Sequence, residues 1–481
     1  MKKTWTESGC TIMSDIWKDT IRSRFYINLL VSSPTGTVFW KASQVEKGPK
    51  SAEFIVDFLS PTIEEIGANN VVQIVTDNGS NYRKAKRILE GKYPNIFTTS
   101  CAAHCIDLML EDIDSLEDVK NIMCKARPAV KFLYNKQQAL DIMRTYTKGK
   151  ELRRPGVTRF ASQFICLDSI LKQEEGLKFM VASNDWRHVE NTEKNDAKEL
   201  TRLIQNEDFW RKGKEIIRFV EPLVRVLKMV DGEGATMGYL YEALDRAKET
   251  IKSACNNMRE KYMPYWSIID KRWNRNLNSP IYAAAAYLNP HLFWNNKVRM
   301  NDEVRKGLEL AIEKLLVPED CANMSLELAK YQTRHPSLFR CELSMNIIDT
   351  SHPRVWWLIC GCSVPILQRV AIKILSQPCS ASACERNWSA FEAVHTKKRS
   401  NLLPSRVTDL VFIRMNMHLQ SMAAEMANIN ADRIYIDHVN PFPEAENLEV
   451  GLSSDLEEED DEECGPSRTN EEDDSTSLDE D

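Results

Sequence analysis

The chain has 481 residues, 43% of them hydrophobic and 28% charged, with a net charge of −7. That length has room for two or three domains at ~150 residues each, and no apolar run approaches the ~18 residues that suggest a membrane span. Met1-Lys2-Lys3-Thr4-Trp5-Thr6-Glu7 lacks the apolar stretch of a secretory signal, so the thirteen cysteines are expected to be reduced, in cytosol or nucleus. The charge is uneven. Residues 451–481 hold 15 Asp or Glu and one Arg, net −14, which leaves residues 1–450 at +7. A mildly basic body is compatible with a polyanionic partner and is also ordinary for a soluble domain. The tail, with Gly, Ser and Pro among its acids, cannot bury a core and reads as disordered, either simply solvated or shielding a basic groove.

In chain order, Gly9 to Asp15 reads as a short strand whose last residue is an acid. Phe25–Val31 and Thr37–Trp40 follow as two strands of a hairpin, turned by the Pro and Gly of Ser32-Ser33-Pro34-Thr35-Gly36. Residues 50–67 place Phe54, Ile55, Phe58, Leu59, Ile63 and Ile66 near a 3.6-residue period, a helix that Pro61 breaks or kinks and Gly67 caps. Val71-Val72-Gln73-Ile74-Val75 reads as a strand buried on both faces, ending in Thr76-Asp77-Asn78-Gly79-Ser80-Asn81, with a helical run from Tyr82 to Tyr93 beyond it. Asp77 is thereby either a turn or cap residue or a group at the carboxyl end of a central strand, where α/β sheets present their chemistry. Ile96–Cys101 is a further strand and Ala102–Leu110 a further helix. Three antiparallel strands followed by alternating helices and strands give the topology of a ribonuclease-H-like sheet. In it the first and fourth strands are neighbours, so Asp15 and Asp77 meet.

From about residue 115 the strand signal stops, and residues 120–330 read as all-helical, divided at Pro128, Pro155-Gly156, Asp231-Gly232-Glu233-Gly234 and Asn289-Pro290. Trp266, Trp273 and Trp294 are expected to pack between helices rather than to stack on bases. In Cys379–Phe391 small residues precede Glu385, which is either a third site carboxylate or a surface acid paired with Arg386. Cys101 and His104 have spacing for two zinc ligands, but no second pair follows, so a packed or DNA-contacting His104 is expected and zinc is not. Cys360-Gly361-Cys362 reads as core. Lys397-Lys398-Arg399 suits phosphate contact, nuclear import or a solvated helix end.

Thr11-Ile12-Met13-Ser14-Asp15-Ile16-Trp17, Val75–Asn81, Cys101-Ala102-Ala103-His104-Cys105 and Ser382-Ala383-Cys384-Glu385-Arg386-Asn387-Trp388-Ser389 together resemble the hAT superfamily of DNA transposases, over about residues 5–420. The resemblance is to plant-type members with a C-terminal dimerisation region. It implies an α/β, ribonuclease-H-like mixed sheet in residues 1–115, interrupted by a large helical insertion over 116–345. A dimerisation region over 346–425 would complete the core, ahead of the acidic tail at 426–481. It further implies that Asp15, Asp77 and Glu385 are a DDE triad holding two Mg²⁺ or Mn²⁺ ions. Such ions, ~3.5–4 Å apart, activate a water or 3′-hydroxyl and stabilise the leaving oxygen of a phosphodiester. Cys101, His104, Arg159, Phe160, Arg386, Lys397, Lys398 and Arg399 would be site-adjacent or DNA-binding, and Trp356, Trp357, Leu402 and Leu403 would belong to the dimerisation segment. The implied partners are DNA and a second copy of the chain, not a membrane, and the implied address is the nucleus. Three departures are visible: no BED-type Cys/His finger precedes residue 5, Ile16 stands where Gly is usual, and Phe160 where Trp is frequent. They keep a second function open, a domesticated and catalytically idle nuclear protein that dimerises and binds nucleic acid.

Overall fold

The computed structural model describes residues 2–19, 24–45, 51–154, 161–193, 195–338, 342–394 and 404–442. They fall into two compact units. The first combines Met1–Leu116, Gly156–Phe164 and Lys214–Phe442, and the second combines Glu117–Pro155 and Ile165–Gly213. The helical stretch expected over 116–345 is thus divided, with residues from 214 onward clustering with the sheet. Arg159, Phe160, Lys397, Lys398, Arg399, Leu402, Leu403 and the acidic tail lie outside the described residues.

One mixed sheet forms the centre of the first unit: β1 (Cys10–Asp19), β2 (Arg24–Ser33), β3 (Gly36–Val45), β4 (Val71–Thr76) and β5 (Phe97–Ser100). Their order is β3-β2-β1-β4-β5, with β1 antiparallel to β2 and parallel to β4, and β4 parallel to β5. The neighbouring first and fourth strands are as the alternation of elements requires. Gly9 lets the chain enter β1: its φ of +66° suits glycine, and a Cβ there would stand 2.3 Å from Val72 Cγ2.

Strand alternation assigns the two faces. Cys10 and Ile12 of β1, Leu29 and Val31 of β2 and Ile74 of β4 join one core with Ile55, Leu59 and Ile63 of the Ala52–Ile66 helix and Tyr82, Ala85 and Leu89 of the Ser80–Lys92 helix. Pro61 lies inside an unbroken helix, and Pro128 likewise inside Glu117–Asn135. Pro61 thus does not break its helix, and Pro128 does not divide the helical region as the sequence suggests. The opposite sheet face takes Thr11, Gln73, Asp15 and Trp17, and there the Ser382–Val394 helix packs on β1 and β2. At the edge, Asn416 of the Pro404–Ile429 helix accepts from Phe39 N (3.0 Å) and donates to Phe39 O (2.9 Å), covering part of an otherwise open strand.

The second unit is helical. Trp186 is buried in it, edge-on to Phe132, with its indole N–H on Thr201 Oγ1 at 2.9 Å. A groove of about 650 Å³ runs between the Glu117–Asn135 and Asp196–Ile204 helices, with Phe132 and Leu200 in its floor and Lys125 and Arg202 at its rim.

Candidate active site at the carboxyl ends of the central strands

The β1–β4 ladder ends at Ser14 opposite Thr76, so the next residues of each chain, Asp15 and Asp77, emerge side by side. Asp15 does not end its strand as expected. β2 keeps pairing β1 on its other edge, Asp15 opposite Asn28 and onward to Asp19 opposite Arg24, so the backbone stays extended through the acid. The Asn28 side chain accepts from Asp15 N at 3.1 Å and donates to Cys384 O at 3.2 Å. One buried amide thus ties the first acid's strand to the helix that carries the third.

Asp77 ends β4 in a turn, its Oδ1 accepting from Gly79 N at 2.9 Å. The turn role and the strand-end position coexist, because one carboxylate oxygen serves the turn and the other does not. Glu385 is in the first turn of the Ser382–Val394 helix. Its neighbour Arg386 donates to Glu233 (2.6 Å) and to Asp231 O (3.0 Å).

The approach to that helix is held by polar groups inside the sheet layer. Thr11 Oγ1 donates to Gln377 Oε1 at 2.8 Å, and Gln73 Nε2 donates to Thr11 Oγ1 at 2.9 Å and to Pro378 O. Ala102 N donates to Cys379 O at 2.9 Å, and the Cys101 thiol lies 3.4 Å from Ser380 Oγ. Asn28, Gln73 and Gln377 carry no motif. For Asn28 and Gln73 the signal is a polar residue inside an otherwise apolar strand, and for Gln377 one just past the apolar Pro365–Leu375 helix, which a fold retains only where it finds partners.

Electrostatics link the three acids. The Asp15 residue keeps some exposure, but its carboxyl is crowded: burial pushes it up to about 7, and the Asp77 and Glu385 carboxylates push the same way. Opposing them, Trp388 Nε1 donates to Asp15 Oδ2 at 2.9 Å. The Trp388 ring stacks on Trp17, centroids 5.6 Å apart, which fixes the indole. Burial also draws the Lys86 ammonium down to about 8, against the nearby Cys105 and Asp77, while Lys86 donates to Ser100 Oγ at 2.8 Å. Sequence reading gave Trp388 and Lys86 no role. Among the described residues no three of His, Cys, Asp or Glu are grouped closely enough to hold a metal ion as they stand.

Cys101 is fully inside, its thiol pushed up to about 11 by burial, and His104 is half-buried one turn into the Ala102–Asp114 helix. One turn further, Asp107 accepts from Ala161 N at 3.2 Å, so the chain just after Arg159 and Phe160 returns to this helix. Trp356 and Trp357 do not line a surface. Both are fully buried, with their indole N–H groups on Ser344 O (3.1 Å) and Leu288 O (2.7 Å). Exposed apolar groups of this region include Leu358 and Ile359, and Leu410, Phe412, Ile413 and Met417 on the Pro404–Ile429 helix. Cys360 is buried as expected of core, and Cys362 is exposed.

The fold is that of a mixed α/β protein with one five-stranded sheet and many helices. Residues 1–128 match the family model described as a domain of unknown function (DUF659), and residues 327–417 match that of the hAT family C-terminal dimerisation region. Together the two matches support a hAT transposase-like protein. The second match supports a homo-oligomer. No curated protein matches the chain.

Proposed function

We propose that the protein is a nuclear, metal-dependent DNA transposase that cuts and joins phosphodiesters at Asp15, Asp77 and Glu385, on a ribonuclease-H-like core. The observation that carries this reading is the Asp15 carboxyl, raised to about 7 by burial and by the two other acids although they come from distant parts of the chain. A fold gains nothing in stability from crowding like charges; a divalent cation would relieve them. The donor set, three carboxylates, suits hard oxygen-seeking ions such as Mg²⁺ or Mn²⁺. When bound, such ions would supply Lewis acidity to the attacking and leaving oxygens. The chain's own residues do the rest: Trp388 orients Asp15, Asn28 fixes the Glu385 helix against β1, and Lys86 places a positive charge near Asp77. Leu410, Ile413 and Met417 offer an apolar face for the partner copy.

A second reading, an idle transposase-derived protein that dimerises and binds nucleic acid, draws support from the acids' not standing in a ready ligand group. Nicking of labelled duplex DNA separates the two. Wild type with Mn²⁺ is expected to nick, and both chelator and Glu385→Gln are expected to abolish it. Salt-dependent binding without nicking would contradict the enzyme and favour the idle protein.

A further inference from the structure

The carboxyl ends of β1, β4 and β5 stand in one row. Ser14 pairs with Thr76 and Thr76 with Ser100, so Asp15, Asp77 and Cys101 follow on adjacent strands, each ~4.8 Å from the next. A cation is anchored at the end of that row. Lys86 of the Ser80–Lys92 helix is half-buried, with its ammonium donating to the buried Ser100 Oγ at 2.8 Å. Stability does not explain the arrangement. Among the described residues no carboxylate stands at ion-pair distance from Lys86: Asp77 accepts from Gly79 N and Glu90 from Thr98 Oγ1, and both reach the ammonium only through space. Its hydrogen-bond partner is a neutral hydroxyl. Burial therefore disfavours the charge more than Cys105, Asp77, Cys101 and Glu90 together favour it, and the ammonium is drawn down to about 8. A held, half-buried cation without a bonded anion, one strand from a candidate catalytic acid, is an electrostatic cost that an incoming anion would offset.

We infer that Lys86 is a further catalytic residue of the proposed cleavage, its ammonium donating to a non-bridging oxygen of the scissile phosphate at Asp77; this rests on the proposed function. Hydrolysis adds water across one P–O bond, so that one side leaves as a hydroxyl and the other keeps a terminal phosphate. Lys86 gives up no proton in this step. It offsets the negative charge on the phosphoryl oxygens in the transition state, and its anchor on Ser100 places it there before the reaction begins. The same charge repels a divalent cation from the acids. Lys86 therefore serves the substrate and not the capture of metal, and the two roles are separable by experiment.

The test compares the full chain as wild type, Lys86→Met, which keeps the stem and removes the charge, and Lys86→Arg, which keeps the charge. Nicking of labelled duplex DNA with Mn²⁺ gives kcat and KM, and electron paramagnetic resonance counts bound Mn²⁺ without DNA. Lys86→Met is expected to lower kcat at least about tenfold with KM nearly unchanged, to bind Mn²⁺ as tightly as wild type or more so, and to keep its Tm. Lys86→Arg is expected to recover part of kcat. Should Lys86→Met fail to fold, Ser100→Ala, which frees the ammonium from its anchor, is expected to lower kcat with Mn²⁺ binding unchanged. An unchanged kcat in these variants would overturn the role while leaving the nuclease standing. A loss of Mn²⁺ binding that matches the loss of kcat would also overturn it, making Lys86 a support of the acids. No nicking by wild type would overturn it together with the proposed function beneath it.

Discussion

The Asp15 carboxyl at the strand ends and the paired tryptophans of the C-terminal region are both withdrawn from water, with opposite consequences. Trp356 and Trp357 bury large apolar rings and still satisfy both indole N–H groups, so their burial stabilises the fold at roughly 25 cal/mol per Å². Burial, with two like charges beside it, forces the Asp15 carboxyl toward the neutral form. Burial of that kind opposes stability. The comparison separates residues that hold the fold from residues the fold tolerates for another purpose, and it can be broken or sharpened by substitution.

The largest effect is expected on the apolar side. Trp357→Ala should cost about 3–5 kcal/mol, read from urea unfolding, whereas Asp15→Asn should leave the fold intact. The second effect is on pH dependence. Because the folded pKa of Asp15 lies above the ordinary value of about 4, the native state holds a proton that the unfolded chain releases. Wild type should therefore lose stability as pH rises from about 4 to about 7, by at most ~1.4 kcal/mol per pH unit. Asp15→Asn should lack that component of the slope; parallel curves for the two proteins would show that the carboxyl is not crowded. A smaller effect is expected from Trp388→Phe, which removes the indole donor. It should cost about 1–3 kcal/mol where Asp15 is ionised and push the Asp15 carboxyl higher still, visible as a shift of its infrared or NMR titration. Least of all, Arg386→Ala should change stability by under about 1 kcal/mol, because its pair with Glu233 is half-exposed.

Much of this frame was legible in the sequence. Apolar runs bounded by turn residues located all five strands and the neighbouring helices, and the chain order implied that β1 and β4 lie together. The local environment was less so. Asp15 looked like a strand terminus because nothing in Ile16-Trp17-Lys18-Asp19 reveals that β2 continues to pair there. Trp356 and Trp357 were assigned by their segment, but which side of a short helix faces inward is settled by Ser344 and Leu288, residues remote from any motif. Pro61 and Pro128 stay within helices because tertiary packing overrides a local penalty. Lys86 was hidden among four other cations of its helix, distinguished only by the Ser100 hydroxyl it reaches.

The central claim is that Asp15, Asp77 and Glu385 act together on a divalent cation. Mn²⁺ titrated into wild type, Asp15→Asn and Glu385→Gln above pH 7, with bound ion counted by electron paramagnetic resonance, tests it most directly. The account predicts binding by wild type that each substitution weakens by at least about tenfold, with the fold unchanged. Equal binding by all three proteins, or none by wild type, would contradict it.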